Sequence, residues 1–229
     1  MFDAFGRTIG DIVMILFLPE QNYGPHRQSS IIKRVEWGME IRCARPSDYA
    51  GICELAEANY VQNLSPSNRR QGFLSAQFTV QQIDNLATDL GIMVACDNGR
   101  VVGFACASRC DLADLSLVAR IMVTTFTRIY FKGQPLSAQK VFIYGPACID
   151  VAYRGRGLLR AMYRNLLREM AGRYDVGVSF VAEENKHSLH AHAEGLGMHV
   201  VGGFTHEEHR YHILAFPVPA RDDSIPAEL

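Results

Sequence analysis

Hydrophobic and polar positions divide the chain into an irregular beginning and a well-patterned remainder. An apolar run from Ile12 to Leu18 stops at Pro19, and a polar, turn-rich stretch follows to Ser30. From residue 40 the alternation becomes regular. We therefore predict an N-terminal extension at 1–38, one domain at 39–216 and a C-terminal tail at 217–229. The sequence leaves open whether Met1, Met14 or Met39 is the start of translation.

Three helices are predicted in the first half of the domain, after a half-buried strand from Glu40 to Arg45. One begins at Pro46 and Ser47, one near Thr79, and one spans 112–132 until Gly133 and Pro135 end it. Their predicted inward residues, spaced by three and four, are Tyr49, Ile52, Cys53, Ala56 and Tyr60; then Val80, Ile83, Ala87 and Leu90; then Leu115, Val118, Met122, Phe126, Ile129 and Tyr130.

Strand signals surround these helices. Ile92–Cys96 and Val101–Ser108 are joined through Asn98-Gly99, which is typical of a tight type I′ hairpin. A long apolar strand, Val141–Val151, contains Gly145-Pro146, and because proline cannot donate to a ladder we predict a bulge or bend there.

The second half continues the alternation. A turn at 152–157 precedes a helix with Leu159, Met162, Tyr163, Leu166 and Met170 on its buried face. A strand at 176–182, a short helix at 188–194 and strands near 199–204 and 211–216 follow. This order predicts an α/β or α+β fold whose sheet has mixed strand directions.

Composition and charge narrow the classes of function. The 229 residues are 48% hydrophobic with a formal net charge of -1, so no global basic field is present and we expect no nucleic-acid partner. The run before Pro19 has seven residues, against roughly 20 for a membrane span, so no membrane partner is expected. Six cysteines without a C-x-x-C pair indicate a reducing compartment, and we expect the cytoplasm.

The stretch most informative about chemistry is Arg154-Gly155-Arg156-Gly157-Leu158-Leu159, between a strand and a helix. A glycine-bearing turn at a helix N-terminus directs unpaired N–H groups at one spot and favours an anion. The alternative is a tight turn whose arginines face solvent. The stretch is not a Walker loop, because no G-x-x-x-x-G-K-[ST] pattern occurs. It is not a dinucleotide fingerprint either, because Arg160 stands where the third glycine of G-x-G-x-x-G would be.

Together with its surroundings, this stretch resembles the GNAT superfamily of acyl-CoA-dependent N-acyltransferases, whose acetyl-CoA loop reads [Q/R]-x-x-G-x-[G/A]. Arg154 and Gly157 fit that pattern, whereas Leu159 departs from it. The segment from Phe180 through Asn185 and His192 to Gly197-Met198 resembles the family's second motif. Met198 replaces the usual Phe, and one extra residue lies between His192 and Gly197.

The resemblance implies a GNAT-like mixed, mostly antiparallel central sheet with flanking helices and a splay between the fourth and fifth strands. It implies acetyl-CoA as the co-substrate, with its pantetheine arm in the splay, and no metal. Implied acetyl-CoA contacts are the thioester-binding backbone at Ile149, Asp150 and Val151, the pyrophosphate-binding turn Arg154, Gly155, Arg156, Gly157, Leu158 and Leu159, and Asn185 and Ser188.

His192 occupies the position where the family often has its tyrosine acid, and the alternative is a packed or surface histidine. Glu183 and Asp150 are candidate bases, against the interpretation of solvated carboxylates. Seven histidines lie within 187–212, but three ligands on adjacent turns would point in different directions, so we predict no metal site.

The function implied is transfer of an acetyl group from acetyl-CoA to a primary amine of a small molecule or protein by direct attack. The expected partners are acetyl-CoA and an amine acceptor, and the fold is compatible with a homodimer. Tyr60, the loop 65–72 and the 112–132 helix are expected to roof the amine pocket. Leu159 and the missing tyrosine favour an alternative, a non-catalytic acyl-CoA-binding or sensor module. A third hypothesis is a phosphate-binding regulator that uses the turn alone.

Overall fold

The computed structural model describes residues 32–35, 39–111, 113 and 115–221. The apolar run Ile12–Leu18, Met14 and the tail beyond residue 221 lie outside these residues, as do positions 112 and 114 of the predicted third helix.

Strands and helices alternate along the described chain much as the hydrophobic pattern predicts. The strands are β1 (Ile32–Val35), β2 (Met39–Cys43), β3 (Ile92–Asp97), β4 (Arg100–Arg109), β5 (Tyr130–Phe131), β6 (Gln134–Pro135), β7 (Val141–Ile149), β8 (Val176–Ala182), β9 (His199–His206) and β10 (His209–Pro217). The α-helices are α1 (Tyr49–Ala58), α2 (Pro66–Arg69), α3 (Val80–Asp89), α4 (Leu117–Thr124), α5 (Leu158–Met170) and α6 (Lys186–His190), and a π-helical turn, Ala191–Gly195, continues α6.

Eight strands form one sheet in the order β1-β2-β3-β4-β7-β8-β10-β9. Every neighbouring pair is antiparallel except β7 and β8, which confirms the predicted mixed, mostly antiparallel sheet. The predicted hairpin is present: Asp97 pairs with Arg100, and Asn98 and Gly99 between them both have positive φ. The edge strand β1 belongs to the segment assigned to the extension.

The predicted splay lies between β7 and β8. These strands pair only from Val141–Ile143 to Val176–Val178. Past that point β8 continues with β10 and β7 continues with β4. In the β4–β7 ladder, Gly145 and Pro146 together stand opposite the single residue Cys106, which is the predicted bulge. The bulge falls where the two strands part.

Helices cover both faces of the sheet and bury its apolar side chains. On one face α5 places Met162, Leu166 and Met170 against the sheet, all at most 2% exposed. On the other face α1 and α3 enclose Ile52 and Ile83, both fully buried. A third cluster lies under α4 and the segment that follows it. No described helix is long and apolar enough to cross a membrane.

Two details of the predicted helices are wrong. Val80, predicted inward, is 53% exposed at the first turn of α3, whereas Ile83 is buried as predicted and Leu86 is buried beside it. The third helix ends at Thr124, not near 132. The chain then turns, and Tyr130 is 59% exposed in β5. The spacing of apolar residues predicted a longer helix because Phe126, although it lies in the turn, is buried like a residue on the inner face of a helix.

Candidate functional site

Two cavities adjoin the end of β7, where it has parted from β8 and a gap separates the two strands. One, of about 370 Å³, is bordered by the turn at 153–160 and the end of β7, and we call it the turn cavity. The other, of about 250 Å³, is bordered by β8, the start of α4 and the segment 73–78, and we call it the apolar cavity. Residues that line both are Phe73, Leu74, Ala147, Ser188 and His192. The two cavities therefore meet at one place in the fold.

The turn before α5 borders the turn cavity with backbone N–H groups at the start of a helix. Gly155 and Gly157 have φ of 75° and 79°, a conformation that side chains disfavour, and Gly157 is the residue that begins the helix. The first N–H groups of a helix have no intrahelical acceptor and lie at its positive end. Gly155, Gly157, Leu158, Leu159 and Arg160 line the cavity, so these amides border it.

Arg154 lines the turn cavity and makes three hydrogen bonds within the protein. Its Nε donates to the Ile149 carbonyl at 3.1 Å, one terminal nitrogen donates to Asn59 Oδ1 at 3.0 Å, and the other donates to the Gln71 carbonyl. The guanidinium thus joins the end of β7 to α1 and to the segment that leads into Phe73. Arg156, by contrast, is exposed and does not line the cavity; its guanidinium lies 5.0 Å from the centroid of the Tyr153 ring.

Of the three residues predicted at the end of β7, Ile149 alone lines the turn cavity. The Asp150 N–H donates to the Val102 carbonyl at 2.9 Å, and the Asp150 carboxylate accepts from Arg100 and from the Ala152 N–H. Val151 is 58% exposed. Because backbone groups of successive strand residues turn to opposite sides, and Asp150 turns to β4, Ile149 and Ala147 turn theirs to the gap.

Asn185 and Ser188 begin α6 beside the gap. The Asn185 side chain accepts from the Ser188 N–H at 3.3 Å and donates to the Phe73 carbonyl at 2.9 Å. It is 6% exposed, so it both caps the helix and holds the 73–78 segment. Ser188 lines both cavities.

His192 is 7% exposed at the junction of the cavities. Its Nδ1 lies 2.7 Å from the Ser188 carbonyl oxygen, and a carbonyl only accepts, so Nδ1 carries the proton and Nε2 the lone pair. Burial lowers the pKa of His192, against the opposing effect of this hydrogen bond. The ring is therefore neutral at neutral pH, which makes it a proton acceptor.

The surroundings of His192 explain the extra residue in the second motif. The π-helical turn Ala191–Gly195 contains His192 and takes up one residue more than an α-helical turn would. The Tyr144 ring packs edge-on against the His192 ring, with 5.8 Å between centroids. Arg160 donates to the Gly195 carbonyl at 2.8 Å and ties this turn to α5.

Glu183 is not brought together with His192. Its carboxylate lies 3.6 Å from Arg210 Nε, is 42% exposed and lines neither cavity. Asp150, the other carboxylate considered as a base, also lies outside both linings. In the part of the chain that the structure describes, no three His, Cys, Asp or Glu side chains are grouped as metal ligands.

Several residues of the site were not identifiable from the sequence. Phe73, Asn59 and Tyr144 enter the site through contacts with residues 48 to 112 positions away along the chain. Of the six cysteines, Cys148 alone lines either cavity, and burial raises the pKa of its thiol to about 12. Of the segments expected to roof the amine pocket, Tyr60 lines neither cavity, and Gln71 and Gly72 of the loop line the turn cavity. The α4 region lines the apolar cavity through Leu115, Ser116, Val118 and Ala119.

Comparisons with known proteins agree with this architecture. The chain matches the model of the acetyltransferase (GNAT) family over residues 53–198, which is more than half of its length. No curated protein matches the sequence.

Solved structures match over most of their length. An N-acetyltransferase from Staphylococcus aureus Mu50 shares 16% identity at a TM-score of 0.51, over 79% of this chain and 98% of that one. Ard1 from Thermoplasma volcanium shares 16% identity at a TM-score of 0.53, and the match covers 79% of this chain and 98% of that one. A chain of the NatC complex bound to Gag peptide and CoA shares 15% identity at a TM-score of 0.50, and the match covers 78% of this chain and 98% of that one. At such identities the likeness is one of fold, and the family match adds the class of activity. This chain belongs to the GNAT acetyltransferase family.

Proposed function

We propose that the protein transfers an acetyl group from acetyl-CoA to a primary amine by direct attack of the amine on the thioester. The observation that carries this proposal is the position of His192, a buried, neutral imidazole at the junction of the turn cavity and the apolar cavity. One cavity offers room for the acetyl donor and the other for the acceptor.

The turn cavity fits a CoA thioester. The α5 amides at Leu158 and Leu159 suit a pyrophosphate, and the gap-facing backbone of Ala147 and Ile149 suits an extended amide-bearing arm. Bound acetyl-CoA supplies an acetyl group activated as a thioester. In this proposal Arg154 has no phosphate contact of its own; it holds the turn and the Gln71 segment together around the ligand.

Backbone amides of β7 stabilise the developing negative charge. As an amine attacks the thioester carbonyl, the carbonyl oxygen gains charge, and N–H groups aimed at it lower the barrier. The N–H groups of Ala147 and Ile149 are in position for this because they face the gap. The amide of Asp150 is not, since it already donates to Val102.

His192 receives the proton. Its Nε2 lone pair accepts a proton from the attacking nitrogen, and the imidazolium formed then protonates the departing sulfur. An acyl-enzyme on Cys148 is disfavoured, because a buried thiol with a pKa of about 12 is scarcely ionised at neutral pH. Glu183 takes no part in this scheme, since it lines neither cavity.

The test is an assay of thiol release from acetyl-CoA in the presence of a broad panel of primary amines, with the acetylated product identified by mass spectrometry. We expect thiol release to require both the protein and an amine, and each thiol to be matched by one acetylated amine. If acetyl-CoA binds but no amine on the panel is acetylated, the sensor hypothesis replaces this one.

A further inference from the structure

The lining of the apolar cavity points to the acceptor. None of the described residues that line it is Asp, Glu, Lys or Arg. Its wall is mainly hydrocarbon and aromatic, with Phe78, Leu115, Val118, Phe180 and Val181 among its members. A charged group placed there would lose its hydration without gaining an ion-pair partner from these residues.

Polar groups in this wall are few, and several are already engaged. Both polar atoms of Asn185 are used, one by the Ser188 N–H and one by the Phe73 carbonyl. His192 donates Nδ1–H to the backbone at Ser188. What remains for a ligand are His192 Nε2, serine hydroxyls such as those of Ser108 and Ser179, and the hydroxyls of Tyr144 and Tyr211. The Tyr144 hydroxyl is buried and has no hydrogen-bond partner among the described residues, and such hydroxyls suit a neutral polar group.

The size of the cavity limits the acceptor further. Its volume of about 250 Å³ lies just below the ~300 to 1,000 Å³ of pockets that hold drug-sized ligands, which favours a small acceptor. The aromatic side chains of Phe180 and Tyr211 stand next to each other in the wall, with 5.8 Å between ring centroids. A flat or compact apolar body is complementary to such a surface.

We propose that the acceptor is a small alkyl or arylalkyl primary amine with no charged group besides the amine, its apolar body in the apolar cavity and its nitrogen at His192 and Ser188. This inference rests on the proposed function and names the substrate class of the same site. The neutral amine forms the new N–C bond, the C–S bond breaks, and the proton lost by nitrogen passes through His192 to the sulfur. The products are the N-acetylated amine and CoA.

Matched pairs of amines test the acceptor class on the unmodified protein. 2-Phenylethylamine is compared with phenylalanine, which adds a carboxylate to the same body, and hexylamine with 1,6-diaminohexane, which adds a second ammonium. A tripeptide with a free α-amine represents protein acceptors. We expect kcat/KM to be lower by about 100-fold or more for each charged member and for the peptide.

The outcomes separate the two proposals. Equal or better turnover of the diamine, the amino acid or the peptide overturns the acceptor class while leaving the proposed function in place. If no amine is acetylated although acetyl-CoA binds, the proposed function fails, and the acceptor class fails with it.

Substitution of one wall residue gives a second readout. Phe180→Ala removes an aromatic side chain from the wall of the apolar cavity, so contacts with the apolar body of the acceptor are lost. The KM for 2-phenylethylamine should therefore rise at least several-fold, while the KM for acetyl-CoA stays the same. Phe204→Ala is the matched control, because Phe204 contacts Phe180 from β9 without lining the cavity. Equal effects of the two substitutions would contradict the proposed placement of the acceptor.

Discussion

At the scale of single residues, the proposed mechanism depends most on His192. Its buried ring is oriented by the Ser188 carbonyl and by the Tyr144 ring. The sequence identified the position through the second motif and considered an acid role. The lowered pKa favours the neutral base that the proposed mechanism uses, and it results from burial, which a single sequence does not reveal.

Replacement of His192 should separate turnover from binding. In His192→Phe the ring shape is retained but the proton acceptor is lost, so kcat should fall by about 10² to 10⁴-fold with little change in the KM for acetyl-CoA. His190→Phe is the matched control, since His190 is exposed on the same helix and lines neither cavity. Steady-state kinetics of both variants test this, and an unchanged kcat in His192→Phe removes the residue from the mechanism.

Ionisation of the same histidine should determine how kcat falls at acid pH. Because burial lowers the His192 pKa, protonation should inactivate the enzyme only below the ordinary histidine value of about 6.5. The acid limb of the kcat profile should therefore have its midpoint under that value, should persist in His190→Phe, and should be absent from the residual activity of His192→Phe. A midpoint above about 6.5 would contradict a buried neutral base.

Cys148 provides the residue-level test of direct attack. If the amine attacks the thioester itself, Cys148→Ala should keep kcat within about threefold of the unmodified protein, with a loss of stability of about 1 kcal/mol from the lost buried sulfur. Initial rates with both substrates varied should give intersecting lines. Parallel lines, together with loss of activity in Cys148→Ala, would indicate an acyl-enzyme instead.

At the scale of elements, short sequence motifs predicted the structure correctly where the backbone preferences of one or two residues determine it. Asn98-Gly99 predicted the β3–β4 hairpin, and Gly145-Pro146 predicted the bulge that lies at the mouth of the splay. Local apolar spacing failed after Thr124, where Phe126 is buried in a turn by its neighbours in space. Burial alone does not distinguish a helix from a packed loop.

Long-range contacts between elements could not be predicted from the pattern. Arg154 matches the first position of the loop motif, and the resemblance assigned it to the pyrophosphate. In the structure Arg154 lines the turn cavity, and its guanidinium also joins β7, α1 and the Gln71 segment. These partners lie up to 95 residues away along the chain, so no spacing rule connects them.

Arg154 and Arg156 should therefore respond differently to substitution. Arg154→Ala should lower the free energy of unfolding by about 2 kcal/mol, because several charge-assisted hydrogen bonds are lost, and should raise the KM for acetyl-CoA as the turn loosens. Arg154→Lys should not restore either property, since an ammonium cannot bridge these acceptors. Denaturant unfolding and kinetics measure both effects.

Arg156→Ala is the matched control for that pair. Arg156 is exposed over the Tyr153 ring, so its removal should change the free energy of unfolding by less than about 0.5 kcal/mol. If Arg154→Ala is as stable as Arg156→Ala, the bracing role assigned to Arg154 is wrong.

At the scale of the whole molecule, the order of elements predicted a sheet of mixed strand directions, and the resemblance to the GNAT superfamily implied its splay. The position of the two cavities was not predictable in the same detail, because their walls combine β7, β8, α4, α6 and the 73–78 segment. The formal net charge of -1 is a sum over the whole chain, so it gave no information about the anion site that we propose at the turn before α5. The domain boundaries at 39 and 216 stay predictions.

The central claim, that the gap between β7 and β8 binds acetyl-CoA through the turn before α5, is tested most directly by calorimetric titration. Three proteins are compared: the unmodified chain, Gly157→Asn and Gly157→Asp. Asn and Asp have nearly the same shape and both tolerate the positive φ at this position, but only Asp adds a negative charge beside the pyrophosphate amides. We predict one acetyl-CoA site per chain, retained in Gly157→Asn and weakened about tenfold or more in Gly157→Asp. Absence of binding by the unmodified chain, or equal affinity of the two variants, would contradict the account.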